Sequence, residues 1–256
     1  MIAARIQAQL RHSAQLNFEA VAVPPFWLFL NPDDDSAYAN YAIPDGPVGD
    51  EIRVPLAELR SLFRARRRTP RFEFIEACAP DLAAGLRANG FVEEARFQLM
   101  ICTPESYRSV PEVPGLTVSI LPGDAPLGHV QEFVNVLHHA FNPEALEEVT
   151  EAEAEQYLRR YGSTQMIVAR LDDKVVGGGS LMPPYQGLAE IAGIGTLEVF
   201  RRRGVASTLT AYAACAASEQ GLDLVFLTAA NEQAGRVYER AGFQLYGAAL
   251  AYIEQS

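Results

Sequence analysis

The stretch Leu188–Ala216, LAEIAGIGTLEVFRRRGVASTLTAYAACA, decides how the chain is read. An apolar β-type run from Leu188 to Val199 passes through Arg201-Arg202-Arg203-Gly204 into a helix. That helix begins near Arg203 and reaches Glu219, with Gly221 as its stop. A helix start leaves its first backbone N–H groups unpaired at the positive end of the helix dipole, which suits a phosphate. Gly204 removes the side chain where a diphosphate would approach the backbone, and Ala206 keeps the next contact small. Three arginines add cationic charge at the same spot. The same residues also suit an Arg-rich surface turn in which glycine serves only its backbone angles.

Around this stretch the composition narrows the possibilities. The chain has 256 residues, with 32 acidic against 21 basic side chains and a net charge of −11. That balance argues against a binder of nucleic-acid phosphates, which needs a concentrated Lys/Arg surface. Hydrophobic residues make up 49% and charged residues 21%, too apolar for disorder. No apolar run reaches the roughly 20 residues that span a bilayer. The opening residues read as an amphipathic helix through Ala20, with no continuous apolar core of a signal peptide. Three widely spaced cysteines, Cys78, Cys102 and Cys215, point to reduced thiols and a cytoplasmic setting.

The Pro-rich segment Val110–Pro126 divides the chain into halves, 1–112 and 113–256. In the first, β-type runs at Phe26–Leu30 and Tyr38–Ile43 flank the turn-forming NPDDDS. A helix opened by Pro55, the strand RFEFIEA, a helix from Pro80 to Ala88 and the strand ARFQLMIC follow. In the second half, a strand at Leu116–Leu121 precedes helices at about Ala125–Ala140 and Glu144–Tyr161. The strands QMIVARL and VVGGGSLM flank Asp172-Asp173-Lys174, and the deciding stretch comes next. The strand LDLVFLTAA, the helix EQAGRVYERA and a last strand near Phe243–Ile253 end the chain. This mixture predicts an α/β protein with a mixed sheet covered by helices. APDLAAGLRANGF in the first half also aligns with ANEQAGRVYERAGF in the second, which a duplication explains.

On these motifs the chain resembles the GNAT (GCN5-related N-acetyltransferase) superfamily. The signature [RQ]-x-x-G-x-[GA] after the fourth strand is met by Arg201, Gly204 and Ala206. A second one, a strand later, is met by Asn231, Ala234, Tyr238 and the closing Gly242-Phe243. The resemblance covers about Leu116 to Ile253 and implies a GNAT fold, with the first half a degenerate second copy. It implies acetyl-CoA as co-substrate, no metal, and an amine of a small molecule or peptide as acceptor. Ile194, Gly195 and Thr196 would pair by backbone with the pantetheine arm. Backbone groups of Arg202, Arg203, Gly204, Val205, Ala206 and Ser207, after Arg201, would hold the diphosphate. Asn231 would touch the pantetheine or acetyl end, Tyr238 matches the general acid, and Glu190 sits where some members place the base. Glu198 departs from the Pro of many members and is an alternative base, as is a water chain.

The chemistry asks for such groups in its own right. An amine attacking a thioester must lose a proton, and the departing thiolate must gain one or be stabilised. A carboxylate near an apolar strand can titrate closer to neutrality, which suits Glu190. Tyrosine titrates near roughly 10 and a thiol near about 8.5, so Tyr238 can stay protonated and donate. Both residues also read simply, as a strand-edge carboxylate and a helix residue packed on a sheet.

In the first half Ala79 and Leu86 stand where Asn231 and Tyr238 do, and RARRRTPRF has no Gly, so that half is expected to bind no acetyl-CoA. Gly177-Gly178-Gly179 reads as a bulge or a close backbone approach. Gly193-x-Gly195 falls short of a dinucleotide fingerprint. His138 and His139 are adjacent, so they are expected to diverge and hold no metal. Glu144, Glu147, Glu148, Glu151, Glu153 and Glu155 either border an acceptor mouth and attract a cationic amine or form a solvated helix face. Another acyl-CoA, a hydroxyl acceptor, a non-catalytic acetyl-CoA-binding module and a homodimer all stay compatible with these motifs.

Overall fold

The computed structural model describes residues 2–49 and 51–255. Its elements are α1 (Ile2–Asn17), β1 (Glu19–Val23), β2 (Phe26–Leu30), β3 (Tyr41–Pro44), α2 (Arg53–Ala65), β4 (Arg71–Ile75), α3 (Leu82–Ala88) and β5 (Phe91–Cys102). After them come β6 (Leu116–Ile120), α4 (Leu127–Phe141), α5 (Glu151–Tyr161), β7 (Gln165–Leu171), β8 (Lys174–Leu181) and β9 (Leu188–Thr196). The chain closes with α6 (Val205–Glu219), β10 (Leu224–Ala229), α7 (Glu232–Glu239) and β11 (Gln244–Glu254). They form two compact units. Unit 1 holds the residues up to Leu99, Thr228–Asn231 and the chain from Leu245 onward; unit 2 holds Met100–Leu227 and Glu232–Gln244.

Unit 1 has the strand order β1-β2-β3-β4-β11-β5. The opening helix stops at Asn17, and β1, absent from the sequence reading, follows at once. Its sequence EAVAV pairs only with β2, from Glu19↔Leu30 to Val23↔Phe26, across a two-residue Pro24-Pro25 turn. A short, mostly exposed, alanine-rich strand carries little period-two signal. Tyr38 lies in a 3-10 turn, and β3 starts at Tyr41. β11 pairs antiparallel with β4, from Ala249↔Ile75 to Ile253↔Arg71, so the last strand of the chain is seated in unit 1. The core gathers Phe26, Leu28, Phe63, Phe72, Phe91 and Tyr252, each at most 2% exposed.

Unit 2 has the order β10-β9-β8-β7-β6, antiparallel from β6 to β9 and parallel between β9 and β10. Phe133 of α4, Met166 and Val168 centre its core. Gly177, Gly178 and Gly179 mark close approaches. A Cβ on Gly178 would lie 3.0 Å from the Phe133 ring, and one on Gly177 would lie 3.0 Å from Val205 of α6. One on Gly179 would meet the Ile194 side chain at 2.4 Å. The helix expected from Glu144 begins only at Glu151. Gln131 and Asn135 of α4 take both backbone groups of Val149, at 2.7 and 3.0 Å, which holds that residue out of a helix. Thr150 and Glu153 then form a reciprocal capping box that starts α5.

Gly90 and Gly242 each end a helix with positive φ, +86° and +96°, and each is followed by a buried Phe, Phe91 or Phe243. A Cβ on Gly242 would sit 2.1 Å from the Ser106 carbonyl oxygen, a backbone atom with little room to yield. Gly221, at φ +78°, has nothing within 4 Å. Gly242→Ala should therefore cost about 2–4 kcal/mol in urea unfolding, and Gly221→Ala only about 1 kcal/mol. Equal losses would show that conformation alone, without the contact, fixes Gly242.

Candidate active site

β9 and β10 run parallel through only three pairs, Leu188↔Leu224, Ala189↔Val225 and Glu190↔Phe226. From Ile191 to Thr196, the β9 edge on that side has no ladder partner among the described residues. A bulge accompanies the departure. Opposite β8, Gly178 faces Gly195 and Ser180 faces Ala192, so β9 takes three steps where β8 takes two. Gly193, at φ +62°, lies within the extra step, and a bulge of this kind bends its strand. Gly195 has a different task. A Cβ there would lie 3.0 Å from Ala140 and 3.1 Å from Leu137, so it lets the end of α4 close on the strand. Neither glycine belongs to a dinucleotide loop.

Beyond Thr196 the chain makes a 3-10 turn, Glu198–Phe200, and reaches α6 through Arg202 at φ +62° and Gly204 at φ +87°. Gly204 is the N-cap of α6 and supplies no side-chain cap; the first helical bond runs from Thr208 N–H to its carbonyl, 3.0 Å. The Ser207 and Thr208 hydroxyls donate to that same carbonyl, at 2.8 and 3.1 Å. Among the described residues no side chain caps the amides of the first turn. A Cβ on Gly204 would meet Val113 at 2.8 Å. The three arginines divide their work. Arg201 donates to the carbonyls of Thr196 (3.2 Å) and Ala140 (2.8 Å), tying the loop to β9 and α4. Arg203 lies over the Phe200 ring at 5.4 Å, and Arg202 and Arg203 are both exposed.

Ile194 is half-buried and packs on Gly179, whereas Gly195 and Thr196 are buried. Val205 and Ser207 are buried, with Ala206 half-buried between them. Tyr238 is half-buried on α7, its ring 6.4 Å from that of Phe243, and burial pushes its phenol up from the ordinary range. α7 packs on α6, the helix that opens at Gly204. Asn231 is exposed immediately before α7 and belongs to unit 1. Glu190 is half-buried at the last paired position of β9, and its carbonyl accepts from Met182 N–H at 2.9 Å. Glu198 is exposed in the 3-10 turn.

The acidic run is not one helix face. Glu144, Glu147 and Glu148 precede α5 in irregular chain. Glu148 accepts from Asn135 and lies 3.7 Å from His139 Nε2. Glu153 is held below the usual carboxylate range by the Thr150 backbone and hydroxyl of its capping box. Glu155 meets Arg159 at 3.5 Å. His138 and His139, expected to diverge, instead meet edge to face at 5.2 Å. Among the described residues no group of three or more His, Cys, Asp or Glu is placed to hold a metal.

In unit 1 the comparison drawn with RARRRTPRF is corrected by topology. That segment leads out of α2 into β4, whereas the counterpart of 201–204, between a strand and the helix after it, is 45–52. The counterpart does contain glycines, Gly46 and Gly49, but no arginine. Counting strands before helices would have found it. Ala79 and Leu86 are fully buried.

Residues 131–243 match the acetyltransferase (GNAT) family model. No curated protein matches the sequence. Among solved structures, a GCN5-related N-acetyltransferase from Kribbella flavida is 23% identical, with a TM-score of 0.83 over 100% of this chain and 96% of that one. A GCN5-related N-acetyltransferase from Sphaerobacter thermophilus is 16% identical, with a TM-score of 0.66 over 99% and 91%. A tandem GNAT protein from the clavulanic acid biosynthesis pathway is also 16% identical, with a TM-score of 0.60 over 98% and 96%. These likenesses are of fold. Residues 131–243, which carry the strand gap and the glycine-led helix, are the part of the chain that the acetyltransferase (GNAT) family covers.

Proposed function

We propose that unit 2 transfers an acetyl group from acetyl-CoA to the amine of a small molecule or peptide, by direct attack in a ternary complex. The observation that carries this reading is the open edge of β9, Ile191–Thr196, leading into the uncapped first turn of α6 at Gly204. An extended chain with amides and a diphosphate fits that sequence of groups: ladder amides first, then helix N–H groups. When bound, acetyl-CoA supplies the thioester and the thiol that leaves. Backbone of Ile194, Gly195 and Thr196 orients it, and amides from Arg202 to Ser207 hold its diphosphate. Arg201 acts through the loop it braces, since its guanidinium is engaged by carbonyls. Tyr238 protonates the departing sulfur, Asn231 contacts the pantetheine or acetyl end, and Glu190 receives the amine proton directly or through water. The acidic composition and the two buried thiols of Cys78 and Cys102 favour a cytoplasmic setting. The divided sequence, halves 1–112 and 113–256, is read as a duplication whose second copy is the active one.

Gly204→Ala brings a side chain against Val113 at a left-handed position, so it should raise the KM for acetyl-CoA at least tenfold. An unchanged KM removes the loop from the binding site. Tyr238→Phe should lower kcat by about 10- to 100-fold with the acetyl-CoA KM held. The phenol donates while protonated, and burial raises its pKa, so the alkaline fall in wild-type kcat should lie above pH 10 and vanish in the variant. Retained turnover in Tyr238→Phe excludes it as the acid. Glu144→Lys with Glu147→Lys, which leaves Glu148 and the capping box intact, should raise KM for a cationic amine a few-fold at low salt and hardly at all at 0.5 M salt. A KM indifferent to charge at low salt makes the run a solvated surface.

A further inference from the structure

Unit 1 has its own strand gap, and it is filled. β3 and β4 run parallel but pair at a single position, Ala42↔Phe72. Beyond it, the carbonyl of Pro44 and the N–H of Ile75 face a space where a ladder rung would continue. Gln7 of α1 enters that space. Its Oε1 accepts from Ile75 N–H at 2.8 Å, and its Nε2 donates to the Pro44 carbonyl at a long 3.5 Å. The side chain is 3% exposed, beside Ile6 at 0% and Ala3 at 4%. α1 also buries Gln9 and Ser13, but Gln7 is the buried amide with both ends on backbone groups of the two strands, which offsets the cost of burying it. One helical turn on, Arg11 forms an ion pair with Asp45, the first residue of the loop that stands where unit 2 has Arg201–Gly204.

We propose that α1 is the resident ligand of the unit 1 gap. The Gln7 carboxamide, chemically a peptide group, takes the place of an amide-bearing chain such as a pantetheine arm, and Arg11 takes the place of whatever would bind the following loop. The site therefore recognises an amide followed by a cation. It is matched to a segment of this chain and opposed in charge to a diphosphate. Unit 1 is closed to acyl-CoA by occupation, and the acidic loop would repel the diphosphate even with α1 withdrawn. This holds whether or not unit 2 is an acetyltransferase.

The test uses the full chain and reads the Ile75 amide by hydrogen exchange. In the wild type that amide should exchange slowly, and acetyl-CoA should leave its rate unchanged. Gln7→Ala should speed it at least tenfold, and Gln7→Glu, measured at acid pH where the protonated carboxyl keeps both an acceptor and a donor, should restore most of the protection. Propionamide at high millimolar concentration should slow Ile75 exchange in Gln7→Ala and not in the wild type. Should Gln7→Ala fail to fold, Gln7→Glu and the wild-type measurement still decide. Ile75 exchange unchanged by Gln7→Ala, or no restoration by Gln7→Glu, overturns the proposal. So does slowing of Ile75 by acetyl-CoA in the wild type, or calorimetry giving two acetyl-CoA per chain. Absence of any acetyl-CoA binding sinks the reading of unit 2 and leaves the Ile75 result to stand by itself.

Discussion

Two parallel strands that stop pairing leave backbone amides with nothing to bond, and this chain meets that constraint twice. In unit 2 the ladder between β9 and β10 ends at Glu190↔Phe226, and the bulge around Gly193 carries the rest of β9 away. Unpaired N–H and C=O groups persist at low cost only where water or a ligand reaches them. The position of the gap, directly before a helix start, sets what kind of molecule would fit it. In unit 1 the ladder between β3 and β4 ends after one pair, and a glutamine side chain bonds the exposed groups.

The glycines of unit 2 serve this geometry through packing. Gly177 and Gly178 admit α6 and α4 on opposite faces of β8, and Gly195 admits the end of α4 onto β9. Close packing on both faces fixes where β9 ends, and Arg201 then pins the following turn to Thr196 and Ala140. A positive charge drawn into two carbonyl bonds is a brace, whereas Arg202 and Arg203 stay exposed beside the helix start. Local charge there is opposite in sign to the global charge of −11.

Regions read as helix or loop from pattern alone were corrected by side chains from elsewhere in the fold. Glu144–Thr150 has the composition of a helix, yet Gln131 and Asn135 hold Val149 out of one, and the capping box at Thr150 begins α5 late. β1 escaped notice because five residues with exposed alanines carry almost no alternation. The adjacent histidines touch because the ring of one leans over the other, which sequence spacing does not encode.

The strand–arginine–glycine–helix order of Leu188–Ala216, the helix stop at Gly242 and the mixed α/β class were all legible in the residues. Each depends on local propensity: a residue without Cβ, an apolar period, a run of charge. Where β9 and β10 part, which arginine is a brace, which loop of unit 1 corresponds to 201–204, and what Gln7 bonds were decided only by tertiary structure. Those depend on which backbone groups stay unpaired once strands, bulges and helices are packed, and that depends on partners tens of residues away.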